Sequence, residues 1–119
     1  MDTPIGKLTF DKEIITFNGF NVTTLLRDKQ NNPIMMEWLT MKDNVYDVWV
    51  IFRVTEETLN GYLDKNIDHI ELFKSSNEFH QFYVDDNGEN KDFIKKSFDE
   101  LDQDTLPRVG CFYDPNYSK

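Results

Sequence analysis

Four carboxylates surround an Asn-Gly pair in the segment YVDDNGENKDF, residues 83–93. Carboxylates at this density suggest a calcium loop, which needs acids at positions 1, 3 and 5, glycine at 6 and glutamate at 12. With Gly88 at position 6, positions 1 and 12 are Tyr83 and Ile94, and neither carries a carboxylate. Asn-Gly between two apolar runs instead predicts a hairpin turn. The acids of its solvated rim are Asp85, Asp86, Glu89 and Asp92.

The remaining acidic patterns give weak support for metal chemistry. Glu89-Asn90-Lys91 matches the E-x-K part of a metal-dependent nuclease site. That chemistry needs two acids and a lysine on adjacent core strands, whereas this triplet falls at a predicted turn tip. The run DELDQD, residues 99–104, is either a solvated face or an acidic edge for a partner. Its acids are Asp99, Glu100, Asp102 and Asp104.

The histidines and the cysteine form no recognisable catalytic or metal-binding motif. His69 and His80 stand outside H-E-x-x-H and Cys-His spacings, and a single cysteine, Cys111, excludes an internal disulfide. The five glycines form neither a G-x-G-x-x-G nor a P-loop pattern. We therefore predict no catalytic residue, metal or cofactor. The alternative is a small enzyme whose site is assembled in space from His80, Cys111 and nearby acids.

Two tryptophans are the strongest candidates for an apolar contact surface. Trp38 and Trp49 fall on one face of a predicted hairpin, beside Met36 and Ile51. They are either core residues or, if that face is exposed, interface anchors, because aromatic side chains dominate binding hot spots. A homo-oligomer built on this face is a second alternative.

The sequence predicts that a β-meander, followed by a helix and a further hairpin, positions these residues. Turns at Asn18-Gly19, Asp43-Asn44 and Asn87-Gly88 separate apolar runs. Two-residue loops at these turns set registers that can be checked in a structure. The predicted partners are Phe17 with Phe20, Ile15 with Val22, Leu39 with Val48, Trp38 with Trp49, and Phe82 with Phe93.

One main helix is predicted at 56–65. Thr55 provides the N-cap and the two following glutamates lie where the helix dipole favours anions. A shorter helical turn is predicted near 70–74. Residues 91–97 are interpreted as a strand, with a helix as the alternative, and 111–113 as one more short strand.

The net charge of the chain restricts the kinds of molecule that we expect it to bind. The chain has 119 residues and a net charge of −9. Residues 1–54 hold seven acids and six bases, net −1, and residues 55–119 hold fifteen acids and seven bases, net −8. This excess repels nucleic acid and anionic membranes, so we expect neither as a direct partner. The opening MDTPIGKLTF has no signal-peptide pattern and no stretch reaches ~20 apolar residues, so a cytoplasmic location is expected.

The order of these signals resembles a small family of uncharacterised bacterial and phage-associated proteins, over residues 5–113. In that family an I-G-x-L opening precedes a β-meander with a Trp-bearing strand, a short helix and a late L-P-x-x-G. The matching positions here are Ile5-Gly6-Lys7-Leu8, Asn18-Gly19, Trp49, Thr55-Glu56-Glu57 and Leu106-Pro107-Arg108-Val109-Gly110. Residues 66–77 depart from the pattern. The resemblance implies a fold and no catalytic residues.

Taken together, the sequence predicts one α+β domain spanning 1–119, with an ordered core at about 5–113 and a loose tail at 114–119. An antiparallel sheet of five or six strands, a meander plus a hairpin, carries one main helix. The predicted function is a non-enzymatic, acidic protein-interaction module. Its concrete form is an inhibitor or immunity-type protein that occupies a basic surface of a nucleic-acid enzyme.

Overall fold

The computed structural model describes residues 1–17, 19–88 and 92–114, with Phe20 described by its backbone. A small N-terminal hairpin precedes a six-stranded antiparallel sheet whose strands follow chain order, as a meander requires. Two helices lie between its fourth and fifth strands. The elements are β1 Asp2–Thr3, β2 Gly6–Lys7, β3 Thr9–Phe17, β4 Phe20–Arg27, β5 Pro33–Lys42, β6 Tyr46–Arg53, α1 Glu56–Leu63, α2 His69–Lys74, β7 Phe79–Val84 and β8 Ile94–Lys96. The predicted antiparallel sheet of five or six strands is confirmed, and the molecule is mostly sheet.

The β5–β6 hairpin follows the predicted register only at its inner end. Trp38 pairs with Trp49 as predicted, but Thr40 rather than Leu39 lies opposite Val48. Asp43 and Asn44 both have positive φ, at 54° and 56°, as a type I′ turn needs. Pairing nevertheless resumes at Lys42–Tyr46, one residue beyond the simple two-residue loop. A β-bulge at Leu39 absorbs the extra residue.

The first hairpin of the sheet shows a similar shift. Phe17 pairs with Phe20 as predicted, whereas Ile15 pairs with Thr23 instead of Val22. Irregularities interrupt the β3–β4 ladder at three places, which bends and twists this edge of the sheet. The turn residue Asn18 lies outside the described residues.

The pairing of β7 with β8 supports the interpretation of the acidic segment, residues 83–93, as a hairpin turn. The ring centroids of Phe82 and Phe93 are 4.7 Å apart, in agreement with the predicted pairing. Residues 94–96 form a strand, as predicted, followed by 3₁₀ turns at 98–100 and 103–105. The predicted strand at 111–113 is wrong. That segment is irregular, and its Cys111 carbonyl accepts a hydrogen bond from the His69 amide rather than from a strand.

Side-chain caps define both helices. The Thr55 side chain accepts from the Thr58 amide at 3.0 Å, which confirms the predicted N-cap of α1. The helix ends at Leu63, two residues before the predicted end, and Lys65 has a left-handed φ of 65° that cannot continue it. Asp68 caps α2 in the same way, accepting from the Glu71 amide at 3.1 Å.

Apolar side chains cover both faces of the sheet. The larger cluster joins the sheet to α1 and α2 and includes Phe52, Tyr62 and Phe79, all at 0% exposure. A smaller cluster on the other face joins Leu8, beside the N-terminal hairpin, to Trp49. The alternating pattern of the sequence therefore specifies a sheet buried on both sides. No helix in the described part of the chain has the length and hydropathy needed to cross a membrane.

Candidate functional site

A cleft of about 420 Å³ opens between the sheet and the C-terminal segment. Strands β3, β4 and β5 form one side, both helices contribute to the base, and residues 105–107, 111, 112 and 114 form the opposite wall. Its volume lies within the ~300–1,000 Å³ typical of ligand sites. Most of the lining is apolar, and a few polar groups converge at its floor.

A buried carboxylate lies at this floor. Glu37 is 3% exposed, in the middle of β5, and both of its oxygens have partners. The Thr23 hydroxyl donates to Oε1, and the His69 Nε2 lies 2.7 Å from Oε2. An unpaired carboxylate here would be costly, so these two donors are what permit the acid in the strand.

His69 extends the network to a tyrosine. Its Nδ1 lies 3.4 Å from the Tyr62 hydroxyl. Burial, with a smaller contribution from the negative charge of Glu37, raises the pKa of the Tyr62 phenol above its ordinary range, so the phenol keeps its proton. Tyr62, His69 and Glu37 therefore form one continuous chain of hydrogen-bond contacts at the floor of the cleft.

The start of α2 fixes the C-terminal wall. Asp68 accepts from the Gly110 amide at 2.8 Å, and the adjacent His69 amide donates to the Cys111 carbonyl at 2.8 Å. The Gly110 hydrogen bond, more than any other contact, holds the pKa of the Asp68 carboxyl below its usual value. Asp68 therefore links the helix that presents His69 to the loop that presents Phe112.

The mouth of the cleft is aromatic, and two acids lie in its described lining. Phe17 and Phe112 are each 51% exposed and contribute to opposite sides. Among the described residues that line the cleft, the acids are Glu37 and Asp114, and none is a lysine or an arginine.

Cys111 lines the same cleft, but no hydrogen bond joins its sulfur to the His69 ring. The backbone carbonyl of Cys111, not its sulfur, meets the His69 backbone. His80, proposed from sequence as the partner of Cys111, lies elsewhere, in a separate pocket of about 110 Å³ beside Glu78. The described residues contain no group of three His, Cys, Asp or Glu side chains arranged for a metal ion.

The two tryptophans have different positions. Trp49 is 8% exposed and belongs to the smaller core cluster. Trp38 is half-buried, donates from Nε1 to Asp47 Oδ1 at 3.1 Å, and also lines the cleft. An interaction role for either one stays a prediction, although only Trp38 borders the cleft.

The acids predicted to contact a partner occupy two separate places. Asp85 and Asp86 belong to the turn after β7, where Asp85 accepts from the Asn87 amide at 3.0 Å. Glu89 lies outside the described residues. The acids at Asp99, Glu100, Asp102 and Asp104 are exposed in the two 3₁₀ turns. The second of these turns ends at Thr105, which lines the cleft.

Two of these four acids also have local structural roles. Glu100 accepts from the Ser97 amide at 2.8 Å, and this hydrogen bond lowers the pKa of the Glu100 carboxyl. Asp102 accepts from the Asp104 amide at 3.1 Å. In the described part of the chain no group donates to the carboxylates of Asp99 or Asp104. These two are therefore the cleanest probes of surface charge.

Sequence reasoning did not identify the Glu37–His69 pair. One signal was present: Glu37 is the single acid in the otherwise apolar or neutral strand PIMMEWLTM. A buried acid needs a partner, but the pattern could not name a histidine 32 residues away. Searches against family models, curated proteins and solved structures found no match for this chain. Function therefore has to be argued from the site itself.

Proposed function

We propose that this protein is an acidic, non-enzymatic interaction module that binds a basic surface of a partner protein. The concrete form is an inhibitor or immunity-type protein that occupies the basic surface of a nucleic-acid enzyme. Such an enzyme presents lysines and arginines to phosphates spaced at one charge per ~1.7 Å of duplex. A protein that blocks this surface needs several carboxylates on one side, which suits the C-terminal segment.

One observation carries the proposal: the segment 99–114 combines exposed acids with exposed apolar side chains beside a cleft. Val109 is 84% exposed and Phe112 is 51% exposed, a short distance along the chain from four exposed acids. Binding surfaces typically combine an aromatic anchor with a polar rim. The acids would speed association and select the partner, and the apolar groups would supply most of the affinity.

The first test measures whether the exposed carboxylates contribute to partner binding. The double variant Asp99→Asn/Asp104→Asn removes two charges that have no described hydrogen-bond donor. Its matched control is Glu57→Gln, an exposed acid in the first turn of α1. Each tagged protein is used to capture a partner from cells, and the identified partner is then purified for titration. We expect the double variant to bind more weakly and with a shallower salt dependence, and the control to bind like wild type.

The second test addresses the aromatic anchor. Phe112→Ser removes the exposed ring at the cleft, whereas Phe10→Ser removes a ring on β3 that is also exposed and lies outside the described lining of the cleft. Loss of the partner with the first variant and retention with the second supports the proposal. The proposal is contradicted if the purified partner binds with the same affinity at low and high salt. It is also contradicted if the partner binds Asp99→Asn/Asp104→Asn as tightly as wild type.

A small enzyme is the second candidate, favoured by His69 and Glu37 at the floor of the cleft, 2.7 Å apart. A histidine oriented by a carboxylate is a general base in many enzymes. If His69 activated the exposed Cys111 thiol, alkylation of Cys111 by iodoacetamide would slow strongly in His69→Gln. Equal rates in His69→Gln and wild type would remove this version, since free thiols react according to their own ionisation.

A further inference from the structure

We propose that residues 106–114 form a flap that opens from the rest of the fold as one unit, with Asp68 as its latch. This C-terminal flap supplies most of one wall of the cleft, so its opening controls access to the floor. The opening is a property of the fold itself and does not depend on the proposed function. Its structural basis is the burial of the flap, the place of its hydrogen bonds and the attachment of its hinge.

The flap is shallowly packed. None of the residues from 106 to 114, all of which the structure describes, is buried. Leu106 and Tyr113 are partly buried against the larger core cluster, and the ring centroids of Tyr113 and Tyr62 are 5.6 Å apart. A segment with few buried apolar groups opens at a lower free energy than core strands do. The flap can therefore leave while the sheet stays folded.

The hydrogen bonds that join the flap to the helices meet at one place, the start of α2. Asp68 Oδ2 accepts from the Gly110 amide at 2.8 Å, and the Cys111 carbonyl accepts from the His69 amide at 2.8 Å. A further hydrogen bond, from the Cys111 amide to the Arg108 carbonyl, closes a turn within the flap. Two neighbouring bonds to one helix end should break together, while the internal turn moves with the flap.

The second 3₁₀ turn, Gln103–Thr105, is the hinge. Gln103 Nε2 donates to the carbonyls of Phe98 and Leu101, at 3.0 Å in each case. Leu101 is 2% exposed and belongs to the larger core cluster. The turn is therefore attached to the core, and the movable part of the chain begins after it.

Opening of the flap removes the wall of the cleft that faces the sheet. The residues that line the cleft from the flap are Leu106, Pro107, Cys111, Phe112 and Asp114. In the closed form Glu37 is 3% exposed and the His69 side chain 12% exposed, so both are shielded at the floor. Opening brings them within reach of solvent or of a molecule too large for the closed cleft. A molecule held between flap and sheet, in contrast, binds the closed form and opposes opening.

The test is amide hydrogen exchange of the full ¹⁵N-labelled chain, followed by NMR at increasing urea below the unfolding transition. The Gly110 and His69 amides report on the two bonds of the latch, and the Val50 amide in the central strand β6 reports on global unfolding. We expect equal protection of Gly110 and His69, at least about a hundredfold below that of Val50. Their exchange should also depend only weakly on urea, because opening the flap exposes little surface.

Asp68→Ser weakens the latch, and Thr55→Ala is its matched control. Serine keeps one acceptor for the cap of α2 but cannot hold the Gly110 amide as well. Thr55→Ala removes the cap of α1 and lowers global stability without touching the flap. We expect Asp68→Ser to speed exchange at both Gly110 and His69 by about tenfold. Thr55→Ala should speed Val50 and leave both latch amides unchanged, with circular dichroism confirming that each variant is folded.

Two results would overturn the flap. If Gly110 and His69 in wild type are protected as strongly as Val50, with the same urea dependence, the segment opens only when the whole chain unfolds. If Asp68→Ser speeds exchange at Gly110 and leaves His69 unchanged, the two bonds break separately and residues 106–114 do not move as a unit. None of these amides reports on a partner, so either result leaves the proposed function to its own tests.

Discussion

At the scale of single residues, Glu37 is a buried acid with a partner at each oxygen. Its charge is desolvated by burial, and only the Thr23 hydroxyl and the His69 ring compensate within the described residues. Removing the carboxylate leaves both donors facing a void. An unsatisfied buried donor costs about 1–3 kcal/mol, and partial access of water through the cleft lowers that cost.

We therefore predict that Glu37→Ala lowers the free energy of unfolding by about 2 kcal/mol. The control is Glu13→Ala, an exposed acid on the edge strand β3, which should change it by less than about 0.5 kcal/mol. Urea denaturation of the three proteins measures both changes. Equal stability of the two variants would contradict a structural role for the Glu37 network.

The environment of Asp28 predicts how the stability of the fold depends on pH. Its side chain accepts from the Asn32 amide, the Gln30 amide and Arg53, and the hydrogen bond from Asn32 contributes most in lowering the pKa of the carboxyl from 3.8 to about 2. A carboxyl with a depressed folded-state pKa stabilises the fold above its unfolded pKa. That contribution is lost as the pH falls through the folded pKa.

The expected result is a stability gap between wild type and Asp28→Asn that is constant from pH 7 to about pH 5 and closes between about pH 4 and pH 2. Asparagine keeps an oxygen for the turn, so the gap reports mainly on the charge. Urea midpoints at stepped pH values measure it. A gap that stays constant down to pH 2 would show that Asp28 titrates normally.

Residue chemistry was only partly predictable from the sequence. The N-cap role of Thr55 and the turn role of the acids at 85–86 depend on neighbours within a few positions, so local rules find them. The partners of Glu37 come from β4 and α2, 14 and 32 residues away. Nothing periodic in the sequence relates these positions, so folding alone brings them together.

At the scale of elements, the turns were predictable and the bulges were not. Asn-Gly and Asp-Asn pairs place the turns because few residues tolerate positive φ. The bulge at Leu39 depends on the geometry of the β5–β6 loop and also on how β5 packs with β4 and β6 on both faces of the sheet. Its effect reaches the site, because Glu37, Trp38 and Leu39 all line the cleft.

Asp68 connects two elements, and its two hydrogen bonds can be separated experimentally. Asp68→Ala should lose both the cap of α2 and the tie to Gly110, lowering the free energy of unfolding by about 2 kcal/mol. Asp68→Ser keeps one short acceptor for the cap and cannot hold both donors, so about half of that loss is expected.

Amide hydrogen exchange distinguishes the two bonds of Asp68. The Gly110 amide should exchange faster in both variants, whereas the Glu71 amide should exchange faster only in Asp68→Ala. Unchanged exchange at Gly110 would mean that the C-terminal wall of the cleft is held by other contacts, such as the His69–Cys111 bond.

At the scale of the whole molecule, the sequence predicted the charge but could not predict the cleft. Apolar clusters lie on both faces of the sheet, so the apolar pattern alone does not single out a face for a partner. The cleft lies between the sheet and the C-terminal segment, which hydrogen bonds tie to the start of α2. That segment is irregular and has no periodicity from which its path could be inferred.

The net charge of −9 should itself limit stability. Twenty-two acids face thirteen bases, so repulsion among unmatched acids opposes folding. Exposed ion pairs such as Arg27–Asp11 and Lys95–Glu78 act in the opposite sense, but such pairs contribute little each. Added salt shortens the Debye length from about 30 Å at 0.01 M to about 8 Å at 0.15 M and so screens the repulsion more than the close pairs.

We therefore expect the melting temperature to rise as NaCl increases from about 0.01 M to about 0.3 M. Asp99→Asn/Asp104→Asn, with two fewer negative charges, should start higher and rise less, while Glu57→Gln should resemble wild type more closely. Circular dichroism melts measure these differences, and sedimentation at the same salt concentrations checks that the chain does not associate as its charge is screened. A melting temperature that falls with salt would mean that the close ion pairs stabilise the fold more than the repulsion destabilises it. The acids of 99–104 would then act as stabilising partners within the fold and not as a surface that binds basic residues of a partner.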